Sequence, residues 1–329
     1  MSRPLRVALQ LAVSGAIVAF LLWRIDLAQT AETLRESNYA YVAGAYVIFI
    51  ASTWPMAWRW WALLRARGIQ ESYNWLVRMY FVSYTAGQVL PTAVGGDAVR
   101  IIEHARRRPD ARATVTGAVV MERLLGAAGT LVLVAFALVV AVGRYQGAGL
   151  LALLGLAFLA TLGAVGVLLF SPEAGRQLDK RLFPLGRRFR LEDPLRSLWT
   201  TMHEYRRTPY ALLAVVAVTV AAQGARVVAI WLCGEAVGID VSPVVYIVLG
   251  PLLFLVQMTP FTLNGLGVRE AFFVVFLGRF GVSSDAALAT GILFYAVTIA
   301  SALPGALYLL WRSVRPGSPA GGRVADRPR

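Results

Sequence analysis

The stretch Gln88-Val-Leu-Pro91-Thr-Ala-Val-Gly95-Gly96-Asp97-Ala-Val99-Arg100 sets a proline, two glycines, an acid and a base at the end of an apolar segment. Proline has no N–H to continue a helical ladder, and glycine enters turns that other residues resist, so the stretch predicts a broken helix tip. A second copy, Gln257-Met-Thr-Pro260-Phe-Thr-Leu-Asn264-Gly265-Leu-Gly267-Val268-Arg269, aligns with it without gaps. Five of the thirteen positions coincide (the Gln, the Pro, Gly96 with Gly265, the Val and the Arg), where average residue usage gives roughly one. Matching breaks in hydrophobic segments of two chain halves are the pattern by which transporters mark a binding site near the bilayer midplane.

The flanks of the first tip say how its helix lies. The apolar segment from Tyr73 to Leu90 follows Arg65 and Arg67, and its tip is followed by Arg106, Arg107, Arg108 and Arg112. A full crossing would put one of these basic flanks outside, against the positive-inside rule. A hairpin that enters from the cytoplasm, breaks at Pro91 to Gly96 and returns removes the conflict, provided it is buried in protein. Asn74, Arg78, Thr85 and Gln88 fall on one helical face, which then lines water or a headgroup; the competing reading is an amphipathic helix flat on the cytoplasmic leaflet. The segments Pro243 to Met258 and Ala271 to Phe280 flank the second tip with Arg279 as their only outer base, which predicts a hairpin entering from the other side.

Further out, six apolar runs predict spanning helices: Val7 to Trp23, Tyr41 to Leu64, Thr114 to Val142, Leu150 to Phe170, Tyr210 to Gly234, and Leu288 to Trp311 broken by Pro304. The first is longer than a signal-peptide core and lacks a cleavage site, so it reads as a helix. The halves are separated by a loop at 171–209, whose nine Lys or Arg against five acids place it in the cytoplasm. In this arrangement cytoplasmic segments hold 23 Lys or Arg and outer loops three. That bias predicts a multi-pass protein of a bacterial-type inner membrane with both termini cytoplasmic. Arg59 precedes Pro91 by 32 residues and Arg226 precedes Pro260 by 34. The expected fold is therefore all-α: six spanning helices with two oppositely oriented re-entrant hairpins in an inverted repeat, forming one domain over 1–313 and a disordered basic tail at 314–329.

Composition agrees and narrows the function. With 58% hydrophobic and 15% charged residues the chain suits a polytopic membrane protein. Its net charge of +14 follows topology rather than nucleic acid, because the basic residues lie between hydrophobic runs and no recognition helix accompanies them. Cys233 sits in an apolar run, and His104 and His203 lie in basic loops without other ligands, so no metal or other cofactor is expected. Gly265-Leu-Gly267 lacks the strand and third glycine of a dinucleotide fingerprint, and no nucleophile elbow, phosphate-binding loop or acidic Mg²⁺ cluster is present.

What remains is charge in apolar surroundings. Asp97 with Arg100, Glu122 with Arg123, and Arg269 with Glu270 are acid–base neighbours at the tips or within a span, where an unpaired charge costs several kcal/mol. Either they pair only with one another, or the arginines offer bidentate donors to an anionic lipid phosphate. Arg59, among Trp54, Trp58, Trp60 and Trp61, is a snorkelling base in an interfacial belt or a cation facing a cavity. Gln88, Gln257, Asn264 and Arg226 complete the set of candidate headgroup ligands.

These residues carry a resemblance. Pro91 to Arg100 with Gly95-Gly96-Asp97, then Glu122-Arg123 and Gly126, then Pro260, Asn264-Gly265, Gly267 and Arg269-Glu270 resemble the flippase-like transmembrane family related to the membrane half of lysylphosphatidylglycerol synthase. The resemblance covers roughly residues 1–313. It implies a helical inner-membrane protein with re-entrant hairpins that moves a lipid between leaflets, with functional positions at Asp97, Arg100, Glu122, Arg123, Arg269 and Glu270, and the missing enzyme motifs make the expectation that the chain is not itself an enzyme. Thr92 departs from the family pattern, where a small residue is expected after the proline. The implied partners are membrane lipids, anionic or lipid-linked, with a homo-oligomer or a biosynthetic enzyme as further company. The alternative is a membrane-embedded enzyme or accessory subunit acting on phospholipid or polyprenyl-linked substrates, and a third reading is a scaffold.

Overall fold

A computed structural model describes residues 27–89, 95–141, 192–257 and 267–314, with isolated positions between 153 and 173. Every regular element among them is helical. In chain order these are α1 (Leu27–Arg35), α2 (Tyr39–Ala51), α3 (Thr53–Ala66), α4 (Tyr73–Val89), α5 (Gly95–Arg107) and α6 (Arg112–Ala141). The second half has α7 (Glu192–His203), α8 (Pro209–Ala236), α9 (Pro243–Gln257), α10 (Val268–Gly278), α11 (Ser284–Ala300) and α12 (Leu303–Val314). Four stretches are long and apolar enough to cross a membrane: Tyr39–Ala66, Pro109–Val139, Pro209–Ala236 and Ser284–Val314. They correspond to four of the six expected spans. The run at 7–23, the run at 150–170 apart from isolated positions, the tips at 90–94 and 258–266, residues 172 and 174–191 of the 171–209 loop and the tail after Val314 lie outside the described residues.

The expected helix from Tyr41 to Leu64 is in fact two, interrupted at Ser52. Pro55 is the cause. Its ring has no N–H for the Ala51 carbonyl four residues back and crowds that carbonyl, so α2 ends at Ala51. Pro304 ends α11 at Ala300 by the same four-residue reach, and α12 begins at Leu303.

Helix α8 is the hub. The α2–α3 span runs antiparallel along it, with Asn38 N donating to Ala236 O at 2.8 Å, Arg226 Nε to Ser52 Oγ at 3.0 Å and the Tyr205 hydroxyl to Leu63 O at 3.0 Å. Helix α6 runs parallel to α8, and its Gly117 and Gly129 leave room for the Thr201 and Thr219 side chains. Among the described residues most buried apolar side chains fall into two large clusters. One gathers Trp60, Leu63, Leu76 and Met121 from α3, α4 and α6. The other gathers Phe49, Ile230, Leu249, Phe273 and Phe294 from α2 and α8 to α11.

Element order repeats between the halves: a long apolar helix, a tight turn, a helix ending at a tip, a short helix, and a second long span. The turns repeat in sequence too, as Ala66-Arg-Gly68-Ile69-Gln-Glu-Ser72 and Ala236-Val-Gly238-Ile239-Asp-Val-Ser242. Both glycines have φ of 75°, and the next isoleucine reaches back to close each helix, Ile69 N to Leu64 O at 3.0 Å and Ile239 N to Gly234 O at 3.1 Å. The turns are offset by 170 residues and the tips by 169, so a single ungapped alignment misses one of them.

Candidate functional site

Two glycines at the start of α5 allow the site to form. Gly96 lies on the backbone carbonyl of Ser83 in α4, and a Cβ there would collide with that carbonyl. The close approach drops Asp97 and Arg100 into the space between α4 and α6. Arg100 Nη1 donates to Glu122 Oε2 at 3.0 Å, and its Nη2 pairs with Asp97. Asp97 also accepts from Arg123, and the Tyr80 hydroxyl donates to Glu122. Arg59 Nη2 donates to the Glu122 carbonyl at 2.9 Å and stands 3.5 Å from its carboxylate. The Arg100 guanidinium lies over Tyr80 at 4.4 Å and over Trp60 at 4.9 Å. Arg100 and Glu122 are only 4% and 3% exposed, so each loses several kcal/mol of hydration that pairing must offset. Three arginines share two carboxylates.

The second half contributes differently. Glu270 folds back over the start of α10, accepting from Gly267 N at 2.8 Å and from Arg269 Nε at 3.0 Å. Arg269 also lies over the Tyr295 ring at 4.1 Å. Arg226, in the middle of α8, donates from Nε to Ser52 Oγ and from Nη2 to the Tyr84 hydroxyl, with the Phe49 ring 4.8 Å away.

Most of these side chains border one cavity of about 610 Å³ between the two buried clusters, with Ser52, Trp60 and Tyr295 standing behind its wall. Of the candidates, Arg59, Gln88, Asp97, Arg100, Glu122 and Arg123 line it from the first half; Arg226, Gln257 and Arg269 line it from the second. Glu270 stands behind Arg269, and Asn264 lies outside the described residues. Five arginines against two carboxylates make the described wall positive by three charges, or by two with Glu270 counted. The tip segments at 90–94 and 258–266 contain no charged residue to change that sum.

Several expectations are corrected. Glu122 and Arg123 are not each other's partners: Glu122 meets Arg100 and Arg59, and Arg123 meets Asp97. Successive helical residues point about 100° apart, so pairs form across helices instead. Arg59 faces the cavity, buried, rather than an interfacial belt. His104 is not in a loop but buried in α5 between Trp60 and Trp75, and burial lowers its imidazole below the usual value although Glu71 is 3.6 Å away. Sequence reading passed over Ser52, Tyr80, Tyr84 and Gln223. Tyr80 and Tyr84 had one available signal, lying four residues apart on the helix that ends at Val89.

The family described as the lysylphosphatidylglycerol synthase TM region matches residues 7–305. No curated protein matches the chain.

Proposed function

The chain belongs to the lysylphosphatidylglycerol synthase TM region family, and on that premise we propose that it is a lipid transporter, moving an anionic or lipid-linked headgroup substrate between leaflets. One observation carries the reading: a 610 Å³ cavity between the two halves, walled by more buried and half-buried arginines than carboxylates. Charge of that sign in apolar surroundings suits a phosphate-bearing headgroup, and guanidinium suits it better than ammonium because it can present two parallel N–H donors. The substrate-binding set is Arg59, Gln88, Asp97, Arg100, Glu122, Arg123, Arg226, Gln257, Asn264, Arg269 and Glu270. The carboxylates hold the arginines in place and keep the excess charge small enough to bury.

In this proposal the two tips are re-entrant hairpins entering from opposite sides, related by an inverted repeat. The antiparallel run of α2–α3 against α8, its counterpart in the repeated element order, supports the inversion. The membrane is a bacterial-type inner membrane with both termini cytoplasmic, membrane lipids are the partners, and the chain itself performs no covalent chemistry.

The test is reconstitution into liposomes with headgroup-labelled lipids added to one leaflet. Labelled phosphatidylglycerol or another anionic lipid should reach the opposite leaflet faster than in protein-free vesicles, chemically unchanged, with a neutral diacylglycerol showing no protein-dependent difference. Equal exchange with and without protein for every anionic lipid would refute transport, and a modified product would make the chain an enzyme.

A further inference from the structure

We propose that Arg226, with the hydroxyls of Tyr84 and Ser52, is the anchor for the substrate's phosphate oxyanion, while Arg59, Arg100, Arg123 and Arg269 form the charged frame around it. This rests on the reading of the cavity as a lipid-headgroup site and assigns the work within it.

The argument is a charge account. Arg59 and Arg100 face Glu122, Arg100 and Arg123 face Asp97, and Arg269 faces Glu270. An anion that took one of these guanidiniums would leave a buried carboxylate without its cation, which is the costly way to break a buried pair. Arg226 has no carboxylate among the described residues. Its partners are two neutral oxygens, Ser52 Oγ and the Tyr84 hydroxyl, and the face of Phe49.

Exchange at Arg226 strands no carboxylate. Ser52 and Tyr84 together hold the Nε–Nη2 edge of the guanidinium, the edge a phosphate takes through two parallel bonds. A displaced hydroxyl is donor as well as acceptor, so both can turn and donate to the arriving oxyanion. The Tyr84 O–H has no acceptor among the described residues, whereas Ser52 Oγ would give up its bond to Phe49 O at 2.6 Å. The site then offers one cation and two hydroxyl donors to one phosphate.

Position favours the same residue. Arg226 is 17 residues from Pro209 and 10 from Ala236, or roughly 26 and 15 Å from the ends of α8 at the helical rise. It bridges three elements at once: α8, the Ser52 break between α2 and α3, and α4. Phosphate binding there replaces contacts that tie the halves together.

The experiment measures binding, not transport, on the full chain purified in detergent. Probes are dihexanoyl phosphatidylglycerol, dihexanoylglycerol without phosphate, and inorganic phosphate as competitor. The wild type should bind the phospholipid more tightly than dihexanoylglycerol. Arg226→Gln should weaken that binding tenfold to a hundredfold, Arg226→Lys at least threefold, and Tyr84→Phe severalfold, while Arg279→Gln, outside the cavity, leaves it unchanged. Competition by inorganic phosphate that disappears in Arg226→Gln supports an anchor for the oxyanion alone; phospholipid binding without such competition supports one that holds phosphate only on the lipid. If Arg226→Gln does not fold, wild-type affinity in both Arg226→Lys and Tyr84→Phe overturns the proposal. A folded Arg226→Gln with full affinity overturns the anchor and leaves the lipid reading standing, whereas a wild type that binds no phosphate-bearing probe removes both.

Discussion

Glu122 joins Tyr80, Arg59 and Arg100, three side chains from three helices, and this makes it the residue on which the first-half charge network depends. Replacing it with glutamine keeps the shape but removes the charge that two buried guanidiniums face. Breaking one side of a buried ion pair costs about 3–5 kcal/mol, and the retained amide oxygen puts this change near the lower figure. Glu122→Gln should therefore melt well below the wild type in detergent, and the double variant Glu122→Gln with Arg100→Gln should recover part of the loss through coupling. Equal melting of the single variant and wild type would show that the network contributes nothing to stability. The charged members of this network were legible because acids and bases stand out in apolar sequence. Tyr80 and Tyr84 were not, since aromatic residues in a spanning region are ordinary and their hydroxyl partners lie on other helices.

At the scale of elements, the chain punctuates its helices with glycine and proline, and the same devices appear in both halves. Gly68 and Gly238 close their helices at φ of 75°, and a Cβ at either position would meet nothing within 4 Å. Only the backbone conformation then resists substitution, at about 1–2 kcal/mol for a left-handed L-residue. Gly68→Ala and Gly238→Ala should lower stability by similar amounts without altering lipid binding, measured by thermal melting and by titration with short-chain phosphatidylglycerol. A large collapse at one position and none at the other would mean that the two turns are not equivalent. Helix type and approximate extent were readable from apolar runs, but the stops at Ala51 and Ala300 require the four-residue reach of Pro55 and Pro304 to be applied, and the Gly-Ile-x-x-Ser turns were hidden by a one-residue change in offset.

For the whole molecule, whether α4 and α5 form the proposed re-entrant hairpin is what separates an inverted repeat from a simple row of crossings. Arg65 and Arg107 are exposed and flank α4 and α5 in sequence, and the proposed re-entrant path keeps both on one face of the membrane. Single cysteines should be placed at Arg65, Arg107 and Asp240 in a Cys233→Ala background, since Cys233 is the chain's one cysteine and is buried. Arg65→Cys and Arg107→Cys should react with an impermeant maleimide from the same side, and Asp240→Cys from the other. Labelling of the first two from opposite sides would make α4 with its tip a full crossing.

Sequence alone determined that this chain is a helical membrane protein, because apolar length and the placement of basic residues depend on local composition and not on which helices meet. It also singled out the arginines and carboxylates, since charge buried in an apolar segment costs too much to be incidental. Pairing was left to tertiary structure. Asp97 meets Arg123 and Glu122 meets Arg100 across 26 and 22 residues of chain, because adjacent positions on a helix diverge while residues on packed helices converge. From that convergence alone comes the distinction between the arginines that carboxylates hold and Arg226, which hydroxyls hold.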